Sequence, residues 1–430
     1  MKRNLNVWIN EQLVGVLTDE NNIWSFQYVD SWLDFSDNFD LSPALPCTKE
    51  LILDGSSTRP VQWFFDNLLP EEGARDLLSK EAKIDIADVF GLLEYYGKES
   101  AGAITLLKEG EELITGEEKS LDDDVLSERI KNLPVVSLAS NSAKRMSLAG
   151  AQHKLAVIYR GGKLYEPIGN SLSTHILKPD HSQPEHYPHS VANEWFVMTL
   201  ANSVGLSVPK VHMKTVPENV YIIDRFDRHI GKDGILNRVH TLDACQVLTV
   251  QHGMKYSQST LANLNKLISF CRNKAVTRQR IFTWNLFNTL IGNGDAHLKN
   301  LSVLCHKGGM ELSPHYDLVC TSIYEKDNKW GAAELSWEIG KAKRFEDVTR
   351  QDMLEFGKAI DLKERFVNRT MDKMVAQISQ NADEIITQLV DEITTQSDKK
   401  INAGELRTIR GIAKGVLTDT VRQLSPKIKL

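Results

Sequence analysis

Apolar and polar residues alternate with a period of two near the N-terminus. "LNVWIN", "QLVGVLT" and "IWSFQYV" are short alternating runs, separated by polar breaks at Glu11 and "DENN". That pattern predicts a meander of strands. It turns helical near "PVQWFFDNLLP", which Pro70 closes. Further on, "HKLAVIYRGGKLYEPIG" predicts two strands around a Gly161-Gly162 turn, a strong hairpin signal. "STHILKPD" is another short strand, "NEWFVMTLANSVGL" a helix ending at Gly205, and "NVYIIDRFDR" an apolar strand with a charged exit. Beyond about residue 240 the chain is mostly helical. "RIFTWNLFNTLIG" ends at Gly292, a natural C-cap. Phe366, Met371, Met374, Val375, Ile378, Ile385, Ile386, Leu389, Val390 and Ile393 recur at three- and four-residue steps, which makes one amphipathic core face.

Charge adds a boundary to this picture. Residues 111–128 carry eight acidic groups against one lysine, a solvated linker or exposed helix that best separates the first module from the rest. The expected division is therefore a β-rich part over 1–135, a small sheet with one helix over 136–240, and a helical part over 241–430. The last stretch ends in eight basic residues against three acidic ones, Lys399, Lys400, Arg407, Arg410, Lys414, Arg422, Lys427 and Lys429 being the cations. They form either a phosphate-facing patch or a solvated helical face.

Composition narrows the class. A chain of 430 residues with 41% hydrophobic and 25% charged residues suits two or three globular domains. No run approaches the roughly 20 apolar residues needed to span a bilayer, so no membrane partner is expected. The basic start has no apolar run behind it, unlike a secretory signal. Cys47, Cys245, Cys271, Cys305 and Cys320 lie far apart without metal-ligand spacing. Buried thiols in a reducing cytoplasm are the simplest reading. The net charge of −6 gives no support to bulk nucleic-acid coating.

The chemistry concentrates in "LIGNGDAHLKNLSV", residues 290–303. Asp295 and Asn300 stand in a D-x-x-x-x-N spacing. "LSVLCH", the turn "KGG" and "MELSP" then read as a hairpin that delivers "HYDLV" with Asp317. Phosphoryl transfer needs such a grouping, because its catalysis is mostly positioning and charge neutralisation. One carboxylate accepts the proton of an attacking hydroxyl, while an amide oxygen and a second carboxylate hold Mg²⁺. Asp295, Asn300 and Asp317 fill those roles in that order. Gly292 ends the preceding helix, and Gly294 is expected to let the backbone turn.

Upstream stretches supply the remaining parts in kinase order, although H-R-D and D-F-G are absent. Lys178 ends a short strand, where an ammonium could reach phosphates. Glu194 opens the following helix, where it could pair with that lysine. "IIDRFDR" offers backbone groups for an adenine-binding connection, with Phe226 near the base. "KRMSLAGAQHK", residues 144–154, has small residues Ala149, Gly150 and Ala151 that let backbone N–H groups approach phosphate. Taken singly, each also reads blandly, as a surface ion-pair member, a strand exit or a turn.

Together these stretches resemble the HipA family of bacterial serine/threonine kinase toxins. The resemblance rests on "FFDNLLP" (64–70), "SLAGAQHK" (147–154), "THILK" (174–178), "RFDR" (225–228), "GDAHLKN" (294–300) and "YDL" (316–318). It implies an α+β, protein-kinase-like two-lobe fold, with an N-terminal β-rich subdomain and an all-helical C-terminal lobe. It makes Asp295 the catalytic base, with Asn300 and Asp317 holding Mg²⁺ and Lys178 binding ATP. Ala149, Gly150, Ala151, Gln152, His153 and Lys154 would form the phosphate loop. Asp224, Arg225 and Phe226 would form the adenine connection, and His297 would be an additional nucleotide contact. Ser147 falls on the family's autophosphorylated serine, and a phosphate there would repel nucleotide or hold the loop open.

The resemblance also implies a HipB-like helix-turn-helix antitoxin and autorepression of the operon on operator DNA. It implies a protein substrate too, aminoacyl-tRNA synthetases such as the glutamyl enzyme being family targets, with growth arrest as the outcome. Two other readings stay open on the residues. One is a lipid or small-molecule kinase of similar fold. The other is a catalytically silent DNA-associated co-repressor, which the presence of Lys178, Asp295, Asn300 and Asp317 disfavours.

Overall fold

The N-terminal alternation folds as expected in the computed structural model, which describes residues 2–112, 115–139, 142, 146, 148–395 and 401–426. Lys2–Ile9, Gln12–Glu20 and Ile23–Tyr28 pair as an antiparallel meander. Asn10, Asn21 and Asn22 make its turns with φ of 50°, 54° and 65°, a left-handed geometry that asparagine tolerates. Ile104–Leu107 joins at the Lys2–Ile9 edge and Ile52–Leu53 at the other, giving five strands. Leu5, Val7, Val14, Leu17, Trp24 and Phe26 are buried, and Trp24 meets Phe90 of the helix Val89–Tyr96 edge-on at 5.2 Å.

The chain divides into two compact units. The first comprises Met1–Ser182, Ile222–Lys255 and Ser302–Ser313. The second comprises Gln183–Tyr221, Tyr256–Leu301 and Pro314–Leu430. The expected parts 1–135 and 136–240 thus share the first unit, except for Gln183–Tyr221.

In the first unit, Leu155–Arg160 and Lys163–Ile168 form the expected hairpin, with Gly161 and Gly162 at φ of 57° and 77°. A two-residue turn with both φ positive needs residues such as these. His175–Pro179 pairs on the other side, Leu155 opposite Leu177. The acidic stretch is partly a strand: Glu117–Leu121 lies along Lys163–Ile168 as an edge, where exposed charges discourage further pairing. It continues as the helix Asp123–Lys131, with Asp123 and Asp124 in the first turn complementing the helix dipole. His240–Asp243, Ser302–His306 and Gly309–Leu312 form a third, three-stranded sheet that includes the expected hairpin after Asn300.

Charged residues also sit in this unit's interior. Glu99, fully buried, accepts from Arg225 (3.3 Å), Arg228 (2.9 Å), Arg238 (2.8 Å) and the Ser173 hydroxyl (2.8 Å). Asp227 accepts from Arg225 and from the Gly102 N–H at 2.7 Å. Burial pushes the Asp227 carboxyl up, but the charges of Arg225 and Arg228 outweigh it and hold it at about 2. The cluster fastens the loop after the helix Val89–Tyr96 to the exit of the "YIIDRFDR" strand.

The second unit is mostly helical. Ser190–Ser203, Leu261–Phe270, Lys274–Ile291, Arg350–Ala359 and Glu364–Thr395 are its longer helices. Of the residues expected on one face, Met371, Met374, Val375, Ile378, Ile385 and Leu389 are buried and Phe366, Ile386 and Val390 half-buried, while the Ile393 side chain lies outside the described ones. A small hairpin, Glu334–Ile339 with Ala342–Arg344, interrupts the helices. Of the basic residues near the C-terminus, Arg407 and Arg410 are exposed, Lys414 pairs with Asp383, and Arg422 lies 3.6 Å from Asp419. Lys399, Lys400, Lys427 and Lys429 lie outside the described residues. No described helix is long and apolar enough to cross a membrane.

Candidate active site

The loop around Asp295 is built from its flanks. The helix Lys274–Ile291 opens on Asn273, whose side chain accepts the Val276 N–H at 3.2 Å, and ends at Gly292 with φ of 66°. That left-handed cap needs glycine, as expected. A Cβ there would also lie 2.6 Å from Ser322 Oγ. Gly294 answers a different demand from the expected turn, since its φ is not positive. A Cβ on it would come within 3.1 Å of the Glu334 carbonyl oxygen and 3.2 Å of Thr321 Oγ1. Its N–H donates to Thr321 Oγ1 at 2.7 Å, so close packing is what selects glycine.

The next residues are fixed through their backbone. The Asp295 N–H donates to Asn293 Oδ1 at 3.0 Å, and the Asp295 carbonyl accepts from Asn300 Nδ2 at 2.7 Å. Trp337 Nε1 donates to the Ala296 carbonyl. Leu298–Asn300 then forms a single turn of 3-10 helix. With its amide nitrogen committed to the loop, Asn300 has its amide oxygen as the atom a cation would take.

Asp317 returns beside this loop. Tyr316 donates its hydroxyl to the Lys299 carbonyl at 2.7 Å, and the Ser322 N–H donates to the Gly292 carbonyl at 3.0 Å. Asp317 itself has φ of 57°, a left-handed conformation uncommon outside glycine and concentrated at functional sites. Burial, then the charges of Glu194 and Asp317, push the Tyr221 phenol well above its ordinary range. Glu194 is thereby brought to the same neighbourhood. It stands in the second turn of Ser190–Ser203, because that helix begins before the expected "NEWF" start.

Asp295 keeps its side chain 42% exposed. His297, buried, has Nε2 3.8 Å from Asp295 Oδ1. Tyr256 donates its hydroxyl to that same oxygen, and its ring meets the His297 ring edge-on at 4.8 Å. Of the site residues expected from the sequence, the second unit thus gathers Glu194, Asp295, His297, Asn300 and Asp317. It adds Asn293, Thr321, Trp337 and Tyr256, none of which carries a spacing signal.

The first unit holds the other candidates. Gly150 has φ of 106° and its carbonyl accepts the Glu71 N–H at 3.2 Å, bridging the loop to Pro70 of "FFDNLLP". Lys154 Nζ donates to the Ala149 carbonyl at 2.6 Å, across Gly150 and Ala151. Gln152 donates to the Pro179 carbonyl at 3.2 Å, which sets the loop beside the strand end that carries buried Lys178. Burial, then the charges of His181 and Lys154, lower the His153 imidazole. Asp224 lies 3.0 Å from His175 Nε2 and Phe226 is half-buried. The Arg225 guanidinium is taken up by Glu99 and Asp227, and its N–H donates to the Thr174 carbonyl at 2.9 Å. Ser147, with Lys144 and Arg145, lies outside the described residues.

The donors fit a hard cation. An amide oxygen on Asn300 and a carboxylate on Asp317 are ligands Mg²⁺ accepts, and the loop bond from Asn300 Nδ2 presents oxygen as the remaining group. The sheets of the first unit and the mostly helical second unit, with this loop and its returning aspartate, make an α+β, protein-kinase-like fold.

Comparison with known proteins agrees. The HipA N-terminal domain model matches residues 5–107 and the HipA-like C-terminal domain model residues 146–382. A putative kinase of Sinorhizobium fredii, Y4mE, is 29% identical over 95% of this chain and 99% of its own length. The serine/threonine-protein kinase toxin HipA of Shewanella oneidensis is 31% identical over 75% of this chain and 76% of its own. A solved structure of the Shewanella oneidensis HipA, HipB and operator DNA complex superposes with a TM-score of 0.80. The identity is 25%, over 97% of each chain. The chain belongs to the HipA family.

Proposed function

We propose that this chain is an ATP- and Mg²⁺-dependent serine/threonine-protein kinase and the toxin of a HipA/HipB-like module in the cytoplasm. The observation that carries the reading is the loop in which Asp295 is fixed by its backbone while its carboxylate stays accessible. In the reaction the acceptor hydroxyl oxygen bonds to the γ-phosphorus of ATP and the bond from that phosphorus to the bridging oxygen breaks. ADP leaves, and the hydroxyl proton passes to Asp295. Asn300 and Asp317 hold the cation, whose charge offsets that of the phosphates. Lys178, the backbone of Ala149–Lys154 and His297 bind phosphates and nucleotide. Asp224, Phe226 and the Arg225 backbone form the adenine connection.

Three further features belong to this reading. Ser147 is the site of self-inhibiting autophosphorylation. A HipB-like antitoxin carries the chain onto operator DNA, in keeping with the relative solved in such a complex. The substrate is a protein, an aminoacyl-tRNA synthetase such as the glutamyl enzyme being the first to try. The three-part division at 135 and 240 follows the same assignment of roles.

The test uses purified, phosphatase-treated protein with labelled ATP and Mg²⁺, followed by mapping of the label. Label on the wild type that disappears in Asp295→Asn supports the kinase, and Ser147→Ala should remove self-labelling without removing nucleotide binding. No label on protein that binds ATP would sink the kinase reading in favour of a silent co-repressor.

A further inference from the structure

Tyr256 follows the short turn His252–Met254, far from any expected motif, and yet its hydroxyl donates to Oδ1 of Asp295. The bond is not a core contact. Tyr256 is 49% exposed and the Asp295 side chain 42%, so it contributes little to stability. Nor does the loop need it, because the Asp295 backbone is already held by Asn293 and Asn300. The hydroxyl addresses the carboxylate of Asp295, which those two backbone bonds do not involve. A phenolic O–H donating to that carboxylate has the geometry an acceptor hydroxyl must adopt before its proton is taken. The His297 ring, edge-on at 4.8 Å, backs the tyrosine ring and limits where it can go.

We propose that Tyr256 is a positioning residue for Asp295. Its hydroxyl occupies the acceptor's place on the carboxylate and is displaced only by a serine or threonine hydroxyl delivered on a protein. A water at that oxygen must displace the phenol without the binding energy a docked protein brings, so proton transfer from water to it is disfavoured. The alternative reaction it suppresses is hydrolysis, in which a water oxygen bonds to the γ-phosphorus, ADP leaves, and the water's proton passes to Asp295 as phosphate is released. The inference rests on the kinase reading above.

The measurement is phosphate release from ATP and Mg²⁺ with no protein acceptor, on wild type, Tyr256→Phe, Tyr256→Ala and Tyr256→Phe/Asp295→Asn. The expected result is a rise of about tenfold in turnover for Tyr256→Phe, with KM for ATP and thermal midpoint unchanged. Tyr256→Ala should rise at least as far, and the double variant should lose the gain. A merely structural tyrosine would instead move the midpoint or the KM. Unchanged or reduced phosphate release in Tyr256→Phe overturns the inference, as does label mapped onto Tyr256 itself. If the wild type neither labels itself nor turns over ATP in any form, the kinase reading is what has failed.

Discussion

Two polar clusters in this chain are each centred on one carboxylate and treat it in opposite ways. Around Glu99, three arginines, one further carboxylate and a serine hydroxyl surround a fully buried acid, and every group is matched within the protein. Around Asp295, the protein matches the backbone and the asparagine amide nitrogen, while the side chain, although its carboxylate accepts from Tyr256, stays 42% exposed. The first arrangement is structure, because a buried ion that lost its partner would be left with its full desolvation cost. On the function proposed above, the second serves chemistry, because a base held by its backbone with its carboxylate in reach of an acceptor is what proton transfer requires. The presence of a carboxylate alone does not tell the two apart. The destination of each hydrogen bond does.

The comparison breaks most visibly at Arg225. Arg225→Ala removes donors from both Glu99 and Asp227, which stay buried. It should cost about 3–5 kcal/mol, read as a lower urea midpoint. A loss under about 1 kcal/mol, the range of exposed pairs, would mean that water or a shifted Arg238 replaces it and that the cluster is less structural than its burial implies.

Asp295→Asn is the converse. The substitution keeps the shape of the side chain and changes its basicity, so phosphorylation should fall by about 10²–10⁴-fold. Stability should stay within about 0.5 kcal/mol, as for most exposed positions. A variant that lost activity only in step with its fold would put Asp295 in the same category as Glu99.

Much of this is legible in the sequence where the signal is local. Gly161-Gly162 announces its hairpin and Gly292 its helix end, and the Asp295–Asn300 spacing with the hairpin before Asp317 marks the loop. What stays hidden depends on pairings between distant residues. Glu99 sits in "GKESAG", which reads as a plain turn until three arginines more than a hundred positions later close on it. Tyr256 lies 39 residues before Asp295 in a polar stretch with no period. Gly294 reads as a turning residue, whereas its neighbours Thr321 and Glu334 make it a matter of space. The acidic run shows its charge but not its edge-strand half, since Glu117–Leu121 has only Leu121 buried and thus no apolar alternation to read.

The smallest effect concerns polar groups that are buried without charge. His240, in the first unit, lies against Phe39 at 5.4 Å and donates from Nε2 to the Leu41 carbonyl at 2.9 Å. Burial lowers its imidazole from 6.5 to about 4, the Leu41 bond opposing weakly. His315, in the second unit, is stacked on Trp284, and burial, helped by the charge of Arg280, lowers it to about 3. Both pKa values are depressed in the folded state, so below pH 6.5 the unfolded chain binds protons that the folded chain refuses. Stability is therefore full above about pH 6.5 and falls as pH drops towards 4, by about 1.4 kcal/mol per pH unit for each histidine. His240→Gln retains an N–H for Leu41 and does not titrate. Urea midpoints from pH 6 to pH 4.5 should show a shallower decline for this variant, and shallower still with His315→Phe added. An unchanged slope would mean that carboxylates, not buried imidazoles, govern acid unfolding, and that neutral burial contributes less to this fold than the ion cluster at Glu99.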